Sequence, residues 1–516
     1  MNQELLDKLK KGDTTVLPII YHDCFIIHNR PMPFWKRILY PNEQNDLQDH
    51  ATEIANTMQA MNCKQLLRLR YQFSQSTSME WYTDWTHVSP QSIRESVKTP
   101  KNYFYILALG TFHPNGYFRE KCLDELKAYG GEALPYTLLL INNWVQPVRE
   151  KAFEASVEII QKASSLEIMR GLAFMEQLRL SDRRSKNHLE QLYSIVEKRL
   201  FHEEDFRISE IQTLDTYERR ICYKTFSLAY LKRNITTLYK NEKDAFNRLQ
   251  IAKRIIDVFH EQHLLMLFLA DKFTPIRIKA LESLAMNKDN TMLIKQFLFD
   301  SSSTIREYVR FLFRKEDIFD VVEEYRIQIR KQATVGGILG LGETGDESDI
   351  PQIKPFLSEE NSTSIRKAAF IAMANIMKSD GEEFLCQHLS YVWSSKPAFR
   401  MIIARNYRFP CKRYYIDFLA IKNPAIQRRY LYLLIRGYTW DRLPWLIRLY
   451  PSLTPAQQNF ISSHLLHKYN KVFTTPSACE QREILLAMQE AQLPPSLAQN
   501  ITWMLQQNPY FTISTE

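Results

Sequence analysis

Ser302 to Phe313 reads SSTIREYVRFLF, and Ser362 to Met373 reads STSIRKAAFIAM. The two stretches share one pattern of apolar residues, Ile305, Val309, Leu312 and Phe313 in the first and Ile365, Ala369, Ala372 and Met373 in the second. Offsets of 0, 4, 7 and 8 place each set on one face of a helix with 3.6 residues per turn. Ser302, Ser303 and Thr304 stand before the first of these helices, where their oxygens can accept from its free N–H groups. An apolar residue followed by arginine marks the start at Ile305-Arg306 and Ile365-Arg366, and again at Ile276-Arg277. Val335-Gly336 holds the place between them, so the successive steps are 29, 30 and 30 residues. A fixed period of this size signals helical hairpins that stack. A second apolar helix follows each first one, as at Ile350–Leu357. A single hairpin buries its apolar face only against the next, so such units come in series.

Composition agrees with that architecture. The chain has 516 residues, 45% of them hydrophobic and 24% charged, ordinary values for a folded protein. It contains only 13 glycines, several of them clustered at 336–345, which argues against a large β or nucleotide-binding α/β fold. Seven scattered cysteines form no C-x-x-C pair and are expected to be buried thiols in a reducing compartment. The opening MNQELLDKLKKGD lacks the apolar core of a secretion signal. No apolar run approaches the ~18 residues of a membrane span. The expectation is a cytoplasmic protein with no membrane contact.

Along the chain, three sections are predicted. Residues 1–110 form an irregular helical N-terminal cap, with a helix from Asp46 to about Leu69. Residues 111–453 form the repeat solenoid, within which 181–272 is helical but off period and includes a helix from Asp244 to Leu269. Residues 454–516 form capping helices and a tail. Trp81, Tyr82, Trp85 and His87 cluster before Pro90. Such rings either stack on a ligand or close the open end of a solenoid, and the second reading is preferred.

The repeat resembles a HEAT repeat, specifically the bacterial HEAT-like kind noted in phycobilisome lyases. The carrying residues are Ala333-Thr-Val-Gly-Gly-Ile-Leu-Gly-Leu-Gly-Glu-Thr-Gly-Asp346, then Ile350-Pro351 and Pro355-Phe356-Leu357. Thr111–Ala152 likewise resembles bacterial HEAT-repeat proteins of no assigned function. The resemblance implies an all-α fold, an α-solenoid of HEAT-like helical hairpins. It also implies that arginines near the start of the first helices, Arg277, Arg306 and Arg366, bind between neighbouring repeats rather than to a ligand. Arg149 and Arg400 are assigned to the same structural set.

Chemistry is sparse. Gly340-Leu-Gly342-Glu-Thr-Gly345 matches G-x-G-x-x-G, but it closes a helix instead of opening one after a strand, and acidic residues crowd it. His260-x-x-His263 and His464-x-x-His467 could each put two imidazoles on one helix face, yet neither pair has a third ligand. Neither a catalytic residue, a metal site nor a cofactor is predicted. HEAT-like DNA glycosylases, the enzymatic alternative, are much shorter, and none of their motifs maps onto this chain residue by residue.

Charge gives the one localised signal. Residues 391–450 hold twelve Lys or Arg against Asp417 and Asp441, a net +10 where the whole chain carries +9. Acidic runs lie at Glu316–Glu324 and Glu343–Glu360, of opposite sign. On the helix from Pro424, Arg428, Tyr432 and Arg436 fall on a face away from the buried one, with Arg429 beside them. Lys412, Arg413, Tyr414, Arg442 and Trp445 complete the candidate binding set. Two functions follow. The first is a non-enzymatic scaffold that holds a protein partner, an acidic one where this segment is used. The alternative is nucleic-acid binding, since cations beside exposed rings suit phosphates and stacked bases.

Overall fold

In the computed structural model, every regular element among the described residues is a helix. Those residues are 2–29, 42–81, 83–97, 99–179, 186–201, 208–316, 320–377, 381–467 and 469–511. The chain divides into two units, Met1–Ser283 and Leu284–Glu516. In each unit consecutive helices fold back on one another and stack as hairpins, an all-α solenoid architecture. No helix among the described residues is long and apolar enough to cross a membrane.

In the first unit the hairpins include Gly116–Leu126 with Leu134–Leu140, and Gln146–Lys162 with Ser165–Arg179. The turn of the former passes through Gly130, whose φ of 63° lies in the left-handed region where a side chain is strained. Two helices expected to be continuous are broken. Asp46–Leu69 divides into Asn42–Gln59 and Cys63–Ser74. Asn62 opens the second by a capping box, its Oδ1 accepting from the Gln65 N–H while Gln65 Oε1 accepts from the Asn62 N–H. Asp244–Leu269 likewise divides, into Ala245–Ile256 and Gln262–Leu269. Trp85 is buried against Tyr21, Phe25 and Phe118, and its indole N–H donates to the Met79 carbonyl at 2.7 Å. Trp81 is 72% exposed and His87 lies beside Asp84, while Tyr82 falls outside the described residues.

A ladder of arginines ties the turns of this unit together. Asn115, Asp215 and Asp244 each cap a helix by accepting from the N–H three residues on, and the next residue is Arg119, Arg219 or Arg248. Each guanidinium reaches back across its cap to a carbonyl of the preceding turn: Arg119 to His113, Arg219 to Leu214, Arg248 to Glu242. Arg149 does the same to Asn143 and Arg277 to Asp271. The other edge reaches forward. Arg219 clamps the Glu242 carboxylate at 2.8 and 3.2 Å, and Arg248 clamps Asp271 at the same two distances. The arginines at 219, 248 and 277 are 29 residues apart, so 216–277 runs on the same period as the later repeats. Sequence periodicity missed this because the two hairpins share the capped turn but not the apolar spelling.

In the second unit the hairpins include Ser303–Glu316 with Val321–Lys331, Val335–Thr344 with Ile350–Ile353 and Lys354–Leu357, Thr363–Ile376 with Gly381–His388, Ser395–Ala404 with Cys411–Ala420, and Pro424–Ile435 with Thr439–Leu449. Arg306 donates to the Asp300 carbonyl at 2.6 Å and pairs with Glu343, which Arg310 also holds at 2.7 Å. The alignment of Val335-Gly336 with Ile365-Arg366 is two residues out of register. Thr334 caps Gly337 as Ser362 caps Ile365, so the arginine position falls on the buried Ile338. Gly336 answers a different demand, since a Cβ there would lie 1.9 Å from the Phe299 carbonyl oxygen. Gly340 and Gly342 are likewise pressed against Tyr325 and Ala372, so the glycines of the G-x-G-x-x-G match serve close packing. A continuous apolar core runs on from Phe370 to Phe511.

Candidate interaction surface

The structure sorts the basic segment into anchored and outward cations. Arg413 lies along Glu383 with two N–H bonds, at 2.7 and 2.9 Å, and its guanidinium holds the Glu383 carboxyl below the usual range. Arg442 donates to the Ile435 carbonyl at 2.7 Å, and Arg405 to the Ala374 carbonyl at 2.9 Å. Arg448 bridges Glu483 and Glu490, at 2.9 and 2.8 Å. Arg429 is half-buried, and its Nη1 donates to the buried Ser395 hydroxyl at 2.9 Å. These five are occupied within the fold. Tyr414 is buried in the core, so it offers no surface.

Lys396, Arg400, Arg408, Lys412, Lys422, Arg428 and Arg436 are exposed. The only ion pairs given by residues 391–450 among the described residues are those of Arg413 and Arg448. Arg400, expected to belong to the structural set, faces solvent and holds no turn carbonyl among the described residues. Arg366 does hold one, donating to Leu357 at 3.2 Å, and its guanidinium covers the Trp393 ring at 4.5 Å.

Apart from Arg436, which reaches the Asn406 side-chain oxygen at 3.5 Å, the remaining predicted residues fall into two clusters on different helix pairs. On the second helices of adjacent hairpins, Trp445 meets Tyr415 at 5.4 Å between ring centroids, with the Lys412 ammonium 5.8 Å and the Arg448 guanidinium 4.9 Å from its ring. On the first helices, Arg428, Arg429 and Tyr432 line an open groove of about 670 Å³ between Ser395–Ala404 and Pro424–Ile435. Phe399 and Ile403 form its apolar side, and Phe399 meets the half-exposed Tyr432 edge-on at 5.6 Å. Phe399 and Ile403 were absent from the predicted set. Their signal was available: they stand four residues apart on one helix, beside Lys396 and Arg400, which stand four apart on its exposed side.

The other motifs find partners of their own. His260 lies in the break before the helix Gln262–Leu269, with its Nδ1 2.9 Å from the Ser283 hydroxyl, whereas His263 is exposed beside Glu261. The first histidine pair therefore shares no helix face. Of the second, His464 lies on Pro455–Leu465 and His467 beyond its end. Among the described residues no three His, Cys, Asp or Glu side chains gather as a metal site would require. Six cysteines are buried and Cys479 is exposed.

The chain matches no protein-family model and no curated protein. It aligns with solved structures over most of its length, but with low structural similarity. Kap121p bound to Ste12p shares 9% identity over 97% of this chain and 54% of its own, with a TM-score of 0.20. Kap121p bound to Nup53p gives 10% identity at the same coverage and score. The Cnd3-Cnd2 subcomplex of S. pombe condensin gives 12% identity over 94% of this chain and 79% of that one, also with a TM-score of 0.20. The chain thus spans about half the length of the Kap121p chains, and likeness at this level says nothing of what it binds.

Proposed function

We propose that this protein is a non-enzymatic scaffold, and that the groove between Ser395–Ala404 and Pro424–Ile435 takes an acidic segment of a protein partner that carries an apolar anchor. One observation supports the reading above others: an apolar cleft on Phe399, Ile403 and Tyr432 is edged by arginines in a segment whose exposed cations make no ion pair among the described residues. An anchor side chain in such a cleft supplies affinity, and rim charge supplies steering and register. Nucleic acid is served less well. Five of the twelve cations are already occupied, and of those left Lys412 and Arg428 stand on different helix pairs instead of following one track.

Fluorescence anisotropy tests this reading, with labelled acidic peptides bearing a Leu or Phe anchor beside labelled single- and double-stranded DNA and RNA, across a salt series. The peptides are expected to bind, and Arg428→Glu with Tyr432→Ala to weaken them at least about tenfold, as losing a charge and an anchor at one site requires. Tight nucleic-acid binding with a steep salt slope, lost in the same variant, would replace the protein-partner reading with the alternative.

A further inference from the structure

The first unit holds a second, unrelated cleft. It lies between the helix Cys63–Ser74 and the two turns at 111–116 and 141–145, with a volume of about 460 Å³. That is the size of a small-molecule site. Leu67 and Phe112 give it an apolar side, and Tyr71 and Trp144 stand at its rim, 71% and 69% exposed. Two arginines line it, Arg70 and Arg119, and no carboxylate does.

The two arginines differ. Arg119 is buried and fixed by the ladder, its Nη1 donating to the His113 and Pro114 carbonyls at 2.6 and 2.7 Å. Arg70 is half-buried and has neither a hydrogen bond nor an ion pair among the described residues. Burial first, and then the like charge of Arg119, push its guanidinium down to about 10. The Nε–H of Arg119 at the same cleft is also buried without an acceptor among the described residues. A guanidinium withdrawn from water beside another guanidinium costs free energy, and nothing among the described residues offsets it. The aromatic rim is the usual complement of a flat ligand.

We infer that this cleft binds the oxyanion of a small organic ligand, a phosphate or a carboxylate, through Arg70, with the body of the ligand against Tyr71 and Trp144. The bidentate fork of arginine suits either group. The site is independent of the groove in the second unit.

Isothermal titration of the full chain with inorganic phosphate, adenosine monophosphate and citrate tests this, alongside Arg70→Met, Trp144→Ala and their denaturation midpoints. One or more of the anions is expected to bind, and Arg70→Met to weaken it at least about tenfold, as losing a charge-assisted bond requires. Trp144→Ala is expected to weaken the nucleotide more than phosphate. Tightest binding of citrate assigns a carboxylate ligand, and of the nucleotide a phosphate one. Without ligand, Arg70→Met should keep or raise the denaturation midpoint, because it removes an unanswered charge. The inference is overturned if no anion binds at millimolar concentration, or if wild type and Arg70→Met bind equally. A ligand-free Arg70→Met that melts lower also overturns it, because Arg70 is then a structural group.

Discussion

The turns between Leu214 and Arg277 and the segment between Tyr391 and Tyr450 are both rich in arginine, and they put it to opposite uses. In the first, Arg219 and Arg248 each have a carbonyl behind and a carboxylate ahead. In the second, twelve cations share a stretch with two acids, and seven of them face solvent. What separates a structural arginine from a surface one is its setting. A helix cap four residues before it and an acid in the next turn occupy all edges of the guanidinium at Arg219 and Arg248, whereas Arg400 and Arg428, which lack both, stay outside.

The comparison can be broken most sharply at Arg248. Arg248→Met leaves the Asp271 carboxylate buried without its counter-ion, with an expected cost of about 3 kcal/mol. Arg428→Met is expected to stay within about 0.5 kcal/mol of wild type, because its side chain is exposed and outside the ion pairs. Urea midpoints measure both, and equal values would erase the distinction. Next in size is Gly336→Ala, which forces a methyl into the Phe299 carbonyl and should cost about 1–3 kcal/mol. An unchanged midpoint there would mean that the two helices are free to part.

Acid sharpens the same contrast. Burial raises the Asp271 carboxyl, but the Arg248 guanidinium and the Tyr239 hydroxyl outweigh it and hold it below its ordinary value. A carboxyl lowered in this way stabilises the fold fully above its unfolded pKa of about 4, and that contribution is lost as pH falls through the lower folded value. Urea midpoints followed from pH 6 to pH 2 should therefore drop, and Asp271→Asn should drop less steeply. Parallel curves would remove Asp271 from the account. The smallest effect belongs to Arg413→Gln. Its pair with Glu383 is partly exposed, so the loss should be at most about 1 kcal/mol and should vanish in high salt.

Much of the fold was legible in the letters. Ile305, Val309 and Phe313 are buried as their spacing requires, and the hairpin at Gly130-Gly131 turns where glycine allows it. The period was harder to follow where the apolar residues vary, because any residue of fitting volume fills a core position. Asp215 and Asp244 keep the register that hydrophobicity obscured, and the caps at Thr334 and Ser362 expose the two-residue slip at Gly336.

The sequence by itself determined that the chain is helical and repetitive, and that positive charge collects between 391 and 450, because local periodicity and composition are carried by neighbours along the chain. Which cations remain available was decided only by tertiary structure. Arg413 is answered from 30 residues away and Arg429 from 34, and the groove of Phe399 and Tyr432 exists only once two hairpins are stacked. The cleft at Arg70 was equally invisible, because an arginine without an acid is a fact about space and not about spelling. Pairing energies depend on distance and burial, and folding sets both.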